Sequence, residues 1–163
     1  VSLYFRRGQS SIFVVPTIAS STAGPTAAEL AAGTNITAAV TALGGFETSL
    51  NRINTPVMSQ KEELQVDGPQ TLGDGTITIL DDDGTVSADS TVRAAARTAL
   101  VEGSSGYLVV CPSKLAPTTG DKVDIWPHKS GALNRDLSLD AQLARSVCQV
   151  AFTGQPRKDK AIT

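Results

Sequence analysis

Aromatic residues are only 4% of this chain, and histidine and tryptophan occur once each. A carbohydrate-binding platform needs several rings on one surface, and Trp126, Tyr4 and Tyr107 are too scattered in sequence to suggest one. The lone His128, beside Trp126 and Pro127, has no second histidine for a metal or a catalytic relay and reads as a surface or strand-end residue. The two cysteines, Cys111 and Cys148, match no metal or redox spacing. Each falls in an apparent strand, which predicts reduced, partly buried thiols. Charge is also scarce: 18% of residues, a net charge of -2 and a pI near 5.3 leave no strongly basic grip for nucleic acid. No run approaches the ~20 apolar residues of a membrane span. Arg6 and Arg7 ahead of Ile12–Val15 imitate the start of a secretory signal, but Pro16 cuts the apolar run short. Asn35-Ile36-Thr37 fits the glycosylation pattern, which has no consequence without secretion.

Glycine, serine, threonine, alanine and valine dominate instead, a composition of short strands and turns over one domain of 163 residues. The strongest local signal is Asp89–Cys111. Asp89 or Ser90 is placed to cap a helix over 90–101, since a short side-chain oxygen accepts from first-turn amides. Val92, Ala95, Ala96, Ala99 and Leu100 recur at helical spacing, with Arg93 and Arg97 one turn apart on another face. Gly103 supplies a left-handed turn, and Tyr107–Cys111 is a strand closed by Pro112. The pattern predicts one amphipathic helix on the outside of a mainly β body.

Around this unit the chain reads as follows. Residues 1–25 suggest an extended N-terminal arm whose Ile12, Phe13, Val14 and Val15 need a covering surface. Pro25 to Gly33 predicts one short helical turn around Leu30, and Ile36 to Ala42 a short strand. Residues 43–75 predict a long hairpin and loop turning at Asn54-Thr55-Pro56, with Asp67 to Gly75 as loop. On its first strand Phe46, Thr48, Leu50 and Arg52 alternate with Glu47, Ser49, Asn51 and Ile53. Further strands are expected over Thr76–Leu80, over Lys122–Trp126 ended by Pro127, beyond it with a bend at Gly131, and over Ala144–Thr153. Residues 155–163, including Arg157 and Lys158, read as a charged C-terminal arm after a domain spanning 26–154.

Catalytic and cofactor motifs fail one by one, so neither an enzyme nor a bound cofactor or metal is expected. Gly68–Gly73 has phosphate-loop glycine spacing, but Asp74 stands where the lysine belongs. Asp81, Asp83 and Gly84 mimic a calcium loop, but Ile79 and Ser90 occupy its first and last ligand positions.

Several phrases follow one another in a known order: P-T-I-A-S-S-T from Pro16, A-E-L-A-A-G-T-N-I-T from Ala28, G-G-F-E-T-S-L-N-R-I-N-T-P from Gly44, T-I-T-I-L-D-D-D-G from Thr76, then the helix, G-S-S-G-Y-L-V-V, K-V-D-I-W-P from Lys122 and V-A-F-T-G-Q-P from Val150. Over nearly the whole chain this resembles the major tail tube protein of long-tailed, non-contractile (siphovirus-type) bacteriophages that infect actinobacteria. The resemblance implies a mainly β (α+β) fold, a small β-barrel or sandwich flanked by one helix. It implies hexameric rings stacked into a tube, with tape measure, terminator and distal tail proteins as further partners. DNA would pass through the lumen without specific binding, no membrane would be involved, and the subunit would be made in the host cytoplasm for the virion tail. On this reading Glu47, Ser49, Asn51, Ser59, Lys61 and Glu63 face the lumen. Ile12, Phe13, Val14, Val15, Arg93, Arg97, Arg157 and Lys158 contact neighbouring subunits. Two competing readings are a monomeric β-sandwich module binding carbohydrate or protein, and a tube or terminator protein of a contractile system.

Overall fold

A computed structural model describes residues 8–20, 22–55, 64–81, 88–136 and 144–163, with side chains at 50, 52–55 and 64–69 left undescribed. The elements in chain order are β1 (Ser11–Val15), α1 (Ala27–Ala32), β2 (Thr34–Asn35), β3 (Val40–Gly44), β4 (Thr48–Thr55), β5 (Leu64–Leu72), β6 (Gly75–Leu80), α2 (Ala88–Ala99), β7 (Ser105–Cys111), β8 (Lys122–Asp136), β9 (Arg145–Phe152) and β10 (Arg157–Ala161). An eight-stranded antiparallel sheet runs β2-β1-β7-β8-β9-β6-β3, with β10 on β8, while β4 and β5 pair only with each other.

The sheet must curl. Its end strands β2 and β3 are joined by residues 36–39 alone, a link that reaches at most ~18 Å from Asn35 to Val40, whereas the ends of a flat sheet of this order would lie ~29 Å apart. The link is tied to both ends: Ile36 N donates to Ile12 O (3.0 Å), and Leu80 N donates to Ala39 O (2.8 Å). The result is a small, nearly closed barrel.

Two apolar clusters follow from the two-residue period of the strands. Ile12, Val14, Ile36, Ala39, Ile77, Ile79, Leu108, Trp126, Cys148 and Val150 fill the concave side. Val15, Val109, Cys111, Val123 and Ile125 face the other way, under Ile18, Leu30 of α1 and Ile162. Strands β1 and β7 are buried on both faces, so they read as unbroken apolar runs rather than alternating ones. This corrects the expected arm. The surface that Ile12–Val15 require is supplied within the chain, because β1 pairs with β7 from Ser11↔Cys111 to Val15↔Tyr107.

The two helices sit on different faces. In α1, Thr26 and Glu29 make a capping box and Leu30 is the buried anchor. Ala96 of α2 and Leu100 just beyond it enter the concave cluster, so the alanine face packs on the barrel interior rather than on the expected outer surface. Helix α2 begins at Ala88, which puts Asp89 and Ser90 in its first turn and leaves the cap outside the described residues. Ser104 Oγ donates to Ala99 O at its far end (3.1 Å), and Gly103 (φ 83°) turns the chain into β7.

Pro127 does not end a strand: β8 runs through it. Pro127 O accepts from Thr153 N (3.1 Å), and a residue's N and O point to the same strand edge. The missing donor therefore faces the point where β8 exchanges β10 (Arg157↔Ile125) for β9 (His128↔Phe152), and no ladder bond is lost. Residues 67–72 are likewise strand, not loop. Leu50 pairs with Gln70 and Arg52 with Asp67, so Gly68 and Pro69 together oppose Asn51 in a bulge that tolerates proline. The described part of the second hairpin strand is Leu64–Leu72, and Pro56 of the expected Asn54-Thr55-Pro56 turn lies outside the described residues.

Candidate assembly surface

The β4–β5 hairpin stands apart from the barrel as its own two-stranded sheet. Phe46 and Thr48 are half-buried, while Glu47, Ser49 and Asn51 are exposed. Across the pair, Ser49 faces Thr71, with their hydroxyl oxygens 2.9 Å apart. In the observed register Thr48, Ser49 and Leu50 pair with Leu72, Thr71 and Gln70; the expected lumen residues Ser59, Lys61 and Glu63 lie outside the described ones. A lone two-stranded ribbon is marginal in water, and neither outer edge of this one is paired among the described residues.

The hairpin is anchored at its root by rings. Phe46 meets Trp126 edge-on, with centroids 5.3 Å apart and planes at 80°, and meets Phe152 at 5.2 Å and 78°. Trp126 and Phe152 lie 5.2 Å apart. The Lys158 ammonium sits 5.6 Å above the Trp126 ring. A cleft of about 560 Å³ opens beside this cluster, between Thr48, Gln70 and Leu72 on the hairpin and Gly154, Pro156 and Lys158 beyond β9. Sequence reasoning missed the cluster because its members come from three distant segments; the one clue was that three of so few rings flank strand ends.

The residues expected at subunit contacts are dispersed. Ile12, Val14 and Val15 are core, and Phe13 packs at the edge of the outer cluster. Arg97 is paired within the chain: its Nη1 lies 3.0 Å from Asp81 Oδ1, which also accepts from Ser146 Oγ (2.5 Å). Arg93 has a buried Nε without a hydrogen-bond partner among the described residues. Arg157 and Lys158 belong to strand β10 rather than a free arm, and the end of the chain is pinned: Thr163 N donates to Pro25 O (3.1 Å) and Ala27 N to Thr163 O (3.0 Å).

Burial and hydrogen bonding shift four described titratable groups. His128 is buried, not at the surface as expected, and burial lowers its pKa, opposed by hydrogen bonds to the Trp126 and Gly106 backbone. Burial raises the Cys148 thiol. Both cysteines are fully buried and unbridged, on opposite faces of the sheet. Glu29 is lowered by amide donors, first Thr26 and then Ala19. Asp121 is lowered first by its bond to Lys114 and then by the Thr118 amide. Among the described residues no His/Cys/Asp/Glu group could hold a metal ion, and no described helix is long and apolar enough to cross a membrane.

The family described as phage tail tube protein matches residues 2–163 of this chain. Nothing matches among curated protein sequences. Among solved structures, the fold is similar to an extracellular contractile injection system's PVC sheath/tube terminator in its extended state. That match has a TM-score of 0.60 and 8% identity over 96% of this chain and 97% of that one. It is also similar to a chain of the six-fold symmetrised baseplate of the anti-feeding prophage, with a TM-score of 0.54 and 10% identity over 97% and 98%.

Proposed function

This chain belongs to the phage tail tube protein family, and from that membership we propose that six copies close into a ring and that rings stack into a conduit for DNA. The chain is a structural subunit of the phage tail and a component of the virion. The finer reading is a non-contractile, siphovirus-type tube, made in the host cytoplasm and meeting tape measure, terminator and distal tail proteins. The observation that carries it is the exposed hairpin. Unpaired strand edges are an aggregation hazard in a monomer, and pairing them with neighbouring copies turns the hazard into a closed inner wall. A protein of similar fold occurs in an assembly treated with six-fold symmetry, which favours six copies. Glu47, Ser49 and Asn51 would then line the channel. Their polar, cation-free surface suits passage, since each cation on a phosphate adds affinity by releasing counterions.

Negative-stain microscopy of concentrated protein tests this. Tubes or stacked rings are expected, and small featureless particles from a folded sample would overturn it. The likeness to a sheath/tube terminator favours a second reading, in which the chain caps a tube. Single rings that never elongate would select that one.

A further inference from the structure

The barrel joins the hairpin through two short glycine-bearing segments. Strands β3 and β6 are paired up to Gly44↔Thr76. Beyond that pair the chain passes Gly45 into β4 and returns through residues 73–74 to Gly75, which is already paired with Val150 of β9. Gly45 has φ 76°, in the region that other residues avoid, and a Cβ there would strike the Asp74 carbonyl. Gly45, Gly73 and Asp74 are all exposed and bury no side chain against the barrel, so contacts at the hairpin root must hold its angle.

The rings do. Phe46 sits between Gly45 and β4, and its two edge-on contacts tie the hairpin root to β8 through Trp126 and to β9 through Phe152. Gly75 is their seat: a Cβ there would lie 2.7 Å from Phe152 Cζ and 3.3 Å from Phe46 Cε2. The neighbouring cleft, about 560 Å³ between the hairpin and the β9–β10 connection, gives the hairpin room to swing when those contacts open. We propose that Phe46, Trp126 and Phe152, seated on Gly75, form a clasp that fixes the angle at which the hairpin leaves the barrel. They are positioning residues for assembly. A hairpin held at one angle before subunits meet removes part of the ordering cost from each addition. What the angle serves rests on the tail tube reading; the clasp itself is a property of the monomer.

The test is Phe46→Leu, which keeps an apolar side chain but removes the ring, with Phe46→Tyr as the conservative rescue. Hydrogen exchange on the monomer is read in residues 48–55 and 64–72 against β7 and β8. Two edge-on ring contacts predict about a tenfold loss of hairpin protection in Phe46→Leu, with less than about a twofold change in β7 and β8. Trp126 is the chain's single tryptophan, so its emission should shift in Phe46→Leu and return in Phe46→Tyr. Tube growth should slow in Phe46→Leu and recover with the tyrosine. Unchanged hairpin exchange overturns the clasp. An equal loss of protection in β7 and β8 also overturns it, because Phe46 would then be an ordinary core residue. If the unaltered protein forms no rings or tubes, the tail tube reading fails, while monomer exchange still decides the clasp.

Discussion

At Asp81 three elements meet on one carboxylate: Arg97 reaches it from α2 and Ser146 from β9, at the end of β6. Asp81 is 11% exposed and Arg97 32%, so solvent screens the pair only in part. Arg97→Glu would set two carboxylates against each other and is expected to cost about 2 kcal/mol in the monomer, read by denaturant unfolding, whereas Arg97→Lys should cost under about 1 kcal/mol. An arginine facing only solvent would tolerate both. Helical spacing put Arg93 and Arg97 on one face, but it could not show Asp81, whose position depends on how β6 passes the helix. His128 is a second residue whose setting was illegible. Its strand continues through a proline that locally reads as a stop, so the side chain looked terminal. Its folded pKa lies below the ordinary value of 6.5. The unfolded chain therefore takes up the proton first, and stability present in full above pH 6.5 is lost as pH falls toward the folded value. The slope is at most about 1.4 kcal/mol per pH unit for one group. Unfolding midpoints between pH 7.5 and 5.5 should fall in the natural chain and fall less in His128→Asn; equal slopes would assign the effect to other groups.

Among the elements, those with local signals were legible: α1, α2, β6, β7 and β9 lie where local pattern placed them, and Cys148 and Val150 share the core-facing side of β9. Strands β1 and β10 were not. Strand β1 is defined by pairing with β7, far along the chain, and R-K-D-K in β10 has no apolar face to betray a strand. The terminal segment shows the consequence. Ile162 is 2% exposed and packs beneath β8, while its N donates to Asp121 O (2.9 Å). Ile162→Ala should destabilise the monomer by about 3 kcal/mol, seen as a lower thermal midpoint under conditions without assembly. A free arm would leave that midpoint unmoved and change only polymerisation.

For the whole molecule, the question is which surface meets the channel. The barrel interior is packed with Ile77, Ile79, Leu108 and Trp126, so it is a core, and the proposed conduit would lie outside it. Alternation along β4 picked one face of the hairpin; the register of β5 was not legible because Ser49 pairs with Thr71, far beyond the partner that a turn at Asn54-Thr55-Pro56 gives. The proposed lumen face is then Glu47, Ser49 and Asn51, with Thr71 beside Ser49. On that proposal one acidic residue per copy would give a weakly repelling wall, felt by DNA within a Debye length of roughly 8 Å. Thiol chemistry tests the face cleanly, because Cys111 and Cys148 are both 0% exposed and should stay silent in the folded protein. In Ser49→Cys, a small maleimide should label monomer and tube alike, while a maleimide too large to enter the tube should label the monomer alone. Equal reaction of the large reagent with both forms would put Ser49 outside. Failure of even the small reagent in the tube would put it in a subunit interface, and either result overturns the lumen assignment.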